Sequence, residues 1–135
     1  MTAIFHGADA IGLVGKMPSG PGPIPDELIK QISLSVPPPA GTFLLTSETS
    51  AKEIINHYKR TLTNTIQLVD LLSEGSYSQI RNELPAIKIV QVVHVIDSKS
   101  VESAEQNSGS FIKRNPWVLL VGVFAILIVA GIVLS

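Results

Sequence analysis

Four short apolar runs, at residues 10–14 (AIGLV), 42–45 (TFLL), 65–69 (TIQLV) and 87–95 (IKIVQVVHV), each have the length of a strand. Between each pair lies a stretch with helical spacing. Pro25-Asp26-Glu27 opens the first such stretch, with proline and acids in the first turn and Leu28, Ile29 and Ile32 on one face. It stops before Pro37-Pro38-Pro39. Ser47 or Thr49 caps the next helix, which runs through Lys59 with Ile54, Ile55 and Tyr58 inward. The third runs from Tyr77 to Leu84 and is closed by Pro85. A last short helix is expected from Ser98 or Ser100 through Glu105. Short apolar strands alternating with amphipathic helices imply parallel β/α units joined by right-handed crossovers. Four such units are too few to close a barrel on their own.

A different kind of segment follows. Residues 115–135 carry no charge, and Lys113 and Arg114 stand directly before them. From Trp117 to Leu134, 13 of 18 positions are Leu, Ile, Val or Phe. As a helix this run would be about 27 Å long, close to the hydrocarbon core of a thin bilayer. It is apolar on every face, and insertion is favoured by roughly several kcal/mol. The expectation is a single-pass tail anchor contacting membrane lipid, with Trp117 at the interface, and Lys113 and Arg114 holding the N-terminal domain on the cytoplasmic side. The expected organisation is a domain over 1–105, a linker with a basic flank over 106–114, and a transmembrane tail over 115–135.

Composition removes several classes of function. A net charge of −1 and a pI near 6.3 leave no basic stripe for nucleic acid. The chain has no cysteine, so it has no disulfide, thiolate metal site or thiol nucleophile. No His-x-x-x-His or acidic cluster has metal spacing, and no cofactor signature is present. The glycine-rich loop GKMPSGPGPI is not a P-loop, since no lysine and hydroxyl follow its last glycine. It reads either as a close approach to a ligand or as a proline-stiffened connection.

The blocks ADAIGLVGKMPSGPGPIPDELI, TFLLTSET, NTIQLVD and LPAIKIVQVVHVIDSKSVESA, in this order, resemble the phosphoribosylanthranilate isomerase family of tryptophan biosynthesis. The nearest likeness is to a bacterial-type branch with the same MPSGPG loop. The resemblance covers about residues 5 to 105 and implies an incomplete (β/α)8-type barrel of about four parallel units, equivalent to barrel strands two to five. With the tail, the expected architecture is that partial barrel plus one C-terminal transmembrane helix. The family reaction is an Amadori rearrangement of a phosphoribosyl amine, which needs a general acid and a general base. The resemblance implies a cysteine base on strand one, an aspartate acid on strand six and a phosphate cradle on the last two strands. None of these is found in the matched blocks, so no catalytic residue is assigned. The arginine that often follows strand two is replaced by SGPGPIP.

Three residues remain as candidates for contact with a phosphoribosyl-type ligand. Gln67 and Asp70 fall at the end of the third strand, where barrel enzymes place substrate contacts. Their plainer reading is an inward-facing polar residue and a turn cap. His94 interrupts an apolar strand three positions after Gln91, either as a pocket-lining proton carrier or as a core histidine bonded to backbone. His6 and His57 fall on helix-like stretches and are expected to face solvent. Two functions follow: an isomerase-like protein inactive alone, or a tail-anchored interaction scaffold. In either, unpaired sheet edges call for a partner chain.

Overall fold

Parallel pairing is what the apolar runs form. In the computed structural model, residues 2–18, 20, 22–94 and 118–123 are described. β1 (Ala10–Val14), β2 (Gly41–Thr46), β3 (Thr65–Leu68), β4 (Lys88–His94) and β5 (Val118–Val123) make one sheet in the order β1-β2-β3-β4-β5. Every neighbouring pair is parallel, with Leu13 beside Leu44, Ile66 beside Leu44, and Ile66 beside Ile89. Three helices cross between the first four strands: α2 (Asp26–Ser35), α3 (Ala51–Thr61) and α4 (Tyr77–Glu83), while α1 (Thr2–Phe5) precedes β1.

Alternation along each strand sorts the side chains into two layers. Leu13, Leu44, Ile66, Leu68 and Ile89 turn toward the helices. There they meet Ile29 of α2, Ala51, Ile54 and Ile55 of α3, and Ile80 of α4 in two buried clusters. Burying each such aliphatic side chain contributes about 1.5–3 kcal/mol, which holds the helices on the sheet. Gln67 leaves β3 on the opposite face. Its register neighbours Leu45 of β2 and Val90 of β4 are also buried.

Local chemistry explains the ends. Ser76 accepts a hydrogen bond from the Gln79 N–H and caps α4. At the lower edge of the sheet, Asn64 and Thr42 exchange hydrogen bonds, N–H to side-chain oxygen in each direction, both 2.9 Å. They lock β2 to the approach of β3.

Several expectations need correction. α3 starts at Ala51, with Ser50 at its N-cap position, one residue after Thr49 and three after Ser47. Leu28 is exposed at 42%, because α2 turns Ile29 and Ile32 inward and the stripe leaves Leu28 at its border. His57 does not face solvent: it is 2% exposed, for reasons given below. His6 is exposed, as expected. The largest change concerns the apolar tail. Val118–Val123 form a fifth strand paired with β4, not the start of a helix. Among the described residues no helix is long and apolar enough to cross a membrane. The rest of the run, the expected helix before residue 105 and the linker lie outside the described residues, as do Lys113, Arg114 and Trp117.

Candidate functional site

In a parallel β/α sheet the chemistry collects where strands exit toward helices. At that end of β1, the loop from Gly15 to Ile24 is pinched at its base. The Ile24 N–H donates to the Val14 carbonyl at 2.9 Å, and the Gly15 N–H donates to the Leu45 carbonyl at 3.0 Å. Gly20 and Gly22 have φ of +106° and +95°, a left-handed backbone that glycine adopts without strain. A Cβ on either would meet nothing within 4 Å, so their turns lie open.

Behind this loop stands a buried polar chain. Thr46, the last residue of β2, lies 2.9 Å from His57 Nδ1 through Oγ1, and His57 Nε2 lies 3.1 Å from Asp26 Oδ1. Asp26 is an acceptor only, so Nε2–H donates to it, while Nδ1 and the Thr46 hydroxyl share the second bond of the ring. Thr46 Oγ1 also accepts the Glu48 N–H at 3.2 Å. Arg60 Nε donates to Asp26 Oδ2 at 2.6 Å. Burial pushes the Asp26 carboxyl up. The hydrogen bond from Arg60 and the charges of His57 and Arg60 outweigh it and hold the carboxyl below the usual carboxylate range. The Gly15 backbone closes the chain from above: a Cβ there would overlap the His57 ring, 2.7 Å from Nε2.

This arrangement superficially orders a hydroxyl, an imidazole and a carboxylate as a nucleophilic triad does. Thr46 is 0% exposed, so its hydroxyl reaches no substrate and the chain is structural. It lies on the helix side of the sheet, away from Gln67. Sequence reasoning missed it because His57, Asp26 and Thr46 are far apart along the chain. One signal was present: Ile54, His57, Tyr58 and Thr61 share the inward stripe of α3.

The expected site residues fall into different surroundings. Gln67 is 3% exposed, and its Oε1 has no hydrogen-bond partner among the described residues. Asp70 lies beyond the end of β3 and is exposed. Gln91, inward on the helix side, ties this exit down: its Nε2 donates to the Leu68 and Asp70 carbonyls at 3.3 and 3.2 Å. The Tyr77 hydroxyl donates to Gln91 Oε1 at 2.6 Å. His94 is the final residue of β4, in register with Val123; its side chain lies outside the description. Gln67 is thus buried and Asp70 exposed. Among the described residues no group of three His, Asp or Glu side chains is placed to hold a metal.

Parallel strands in chain order, each of the first three followed by a helix against the same face, define a partial (β/α) barrel. Its fold is that of phosphoribosylanthranilate isomerases. The enzyme from Thermotoga maritima superposes with a TM-score of 0.63 at 19% identity, over 92% of this chain and 56% of that one. The Thermococcus kodakaraensis enzyme gives 0.65 at 16% identity, over 92% and 60%. A further isomerase, in complex with reduced 1-(o-carboxyphenylamino)-1-deoxyribulose 5-phosphate, gives 0.62 at 17% identity, over 97% and 74%. The chain thus spans a little over half the length of the Thermotoga enzyme. No family model matches the sequence, and no curated relative does.

Proposed function

We propose that these 135 residues form an isomerase-type barrel segment that keeps the fold and a ligand-facing amide but does not catalyse the rearrangement alone. The observation that carries this reading is β5. Counting by the resemblance, it takes the place of barrel strand six, where the family's aspartate acid would stand. Its sequence is VLLVGV, without a carboxylate. The chain also has no cysteine to act as the base. Asp70 is at the correct end of the sheet but is a lone exposed carboxylate, and an Amadori rearrangement needs a paired donor and acceptor of protons.

The ligand expected on the inner face is a phosphorylated aminodeoxyribulose, whose amine and hydroxyl groups would donate to Gln67 Oε1. Calorimetry with the reduced compound bound by the related isomerase tests this. Weak binding, lost in Gln67→Leu, is the expected result; equal binding by wild type and variant would exclude it. Turnover of phosphoribosylanthranilate at an enzyme-like rate, abolished by Asp70→Asn or His94→Ala, would overturn the proposal that the segment does not turn over.

A second reading is favoured by the uncharged run after Arg114. We propose that this run attaches the protein to a membrane as a single-pass anchor, the N-terminal domain remaining cytoplasmic and serving as an interaction scaffold. Resistance of the full-length chain to carbonate extraction from cells supports it. Complete release into the soluble fraction removes it.

A further inference from the structure

Residues 117–134 suit two environments that exclude one another. In the sheet, Val118–Val123 pair with β4 through six consecutive register positions, from Ile89 to His94. In a helix, the same amides and carbonyls would bond to residues four apart in their own segment. No residue can hold both sets of bonds.

Four observations bear on how the two compete. β5 is an edge: among the described strands it pairs with β4 alone. Its sequence, VLLVGV, has no polar side chain, and backbone pairing joins it to β4. A bilayer favours such apolar side chains, and a helix satisfies the same backbone groups internally. Among the described side chains, the two core clusters named above are built on β1–β4 and α2–α4. The sequence places Lys113, Arg114 and Trp117 immediately before the strand, where an entering segment needs headgroup and interfacial contacts.

We propose that a lipid bilayer draws β5 out of the sheet, so that membrane attachment and completion of the fifth strand are alternatives. This rests on the membrane reading above. In water Val118–Val123 stay paired with β4; at a bilayer the segment leaves as a helix and β4 becomes the edge of the sheet. Attachment then uncovers the row of β4 amides and carbonyls that β5 had covered, a template for an added strand.

The full-length chain, with and without vesicles of phosphatidylcholine containing a minority of phosphatidylserine, provides the test. Flotation reports attachment, and emission from Trp117, the single tryptophan, reports its transfer to an apolar interface. Hydrogen exchange reports the sheet. The β4 amides on the β5 side should exchange faster by roughly tenfold or more with vesicles, while β2 is unchanged. Flotation with unchanged β4 exchange overturns the exchange of strands and leaves the membrane reading intact. Failure to float overturns both. Val121→Pro and Gly122→Pro, made separately, supply an independent arm. Successive amides of a strand point to opposite sides, so one of the two removes a bond to β4. That variant should show fast β4 exchange without vesicles and a larger floating fraction. If neither variant floats more than wild type, pairing does not compete with the membrane and the proposal fails.

Discussion

Gln67 stands in register between Leu45 and Val90, two buried aliphatic residues, and its buried amide oxygen has no partner among the described residues. A buried acceptor without a donor costs about 1–3 kcal/mol. Leucine at this position keeps much of the volume and removes the unmet group. Gln67→Leu should therefore raise the stability of the free chain by about 1 kcal/mol, read as a higher urea midpoint with an unchanged slope. Loss of stability would mean that the oxygen is satisfied within the protein, and the ligand role would fall with it. By contrast Gln91, one strand away and on the helix side, is fully bonded through Tyr77, Leu68 and Asp70. Two glutamines in neighbouring strands thus differ in kind, one completing the fold and one leaving an acceptor open.

Elements are joined where a single side chain touches several of them. The His57 ring, carried by α3, meets Thr46 of β2, Asp26 of α2 and the backbone of Gly15 after β1. His57→Ala removes two hydrogen bonds, leaves a cavity and takes from the buried Thr46 hydroxyl one of its two partners, so it should cost about 2–4 kcal/mol in chemical denaturation. Gly15→Ala forces a methyl group into the ring and should cost about 1–3 kcal/mol. The two should not add, because the cavity left by the ring receives the methyl group. The double variant should be more stable than the sum of the singles predicts by at least about 1 kcal/mol. Additive losses would show that the ring and the glycine do not share space. The same elements show what the sequence could and could not carry. β1 to β4 were legible because β-branched apolar runs bounded by glycine, proline and polar residues have few other uses. The role of His57 was not, since helical spacing puts it on the inward stripe without naming the distant Asp26 and Thr46 that satisfy it. The strand at Val118–Val123 was hidden for a different reason: an unbroken apolar run has no period, and length alone favoured a helix.

For the whole molecule, the Asp26 chain acts as a clasp that shuts α2 against α3 across the end of β2, and its strength depends on a charge. Asp26 is held below its ordinary value of 3.8 in the folded chain: burial opposes the charged form, but the Arg60 hydrogen bond and the nearby His57 and Arg60 charges prevail. A depressed folded value means that the unfolded chain takes up the proton first as the solution is acidified. The contribution of Asp26 is therefore complete above about pH 3.8 and is lost as the pH falls through its lower folded value. Glu83 shifts in the same direction through its hydrogen bond from Lys59, but it lies on the surface and is open to screening by salt. Comparing wild type with Asp26→Asn cancels the Glu83 part. The expected result is a stability difference that is constant from neutral pH down to about 4 and shrinks progressively below it. Arg60→Ala should raise the folded value of Asp26, so that the charge-dependent contribution is smaller and its loss is complete at a higher pH, because the largest force favouring the charged carboxylate is then gone. Thermal unfolding of the three chains across this acid range measures both effects. A difference between wild type and Asp26→Asn that persists undiminished well below pH 3 would show that the clasp holds by shape and neutral hydrogen bonds rather than by the charge on Asp26.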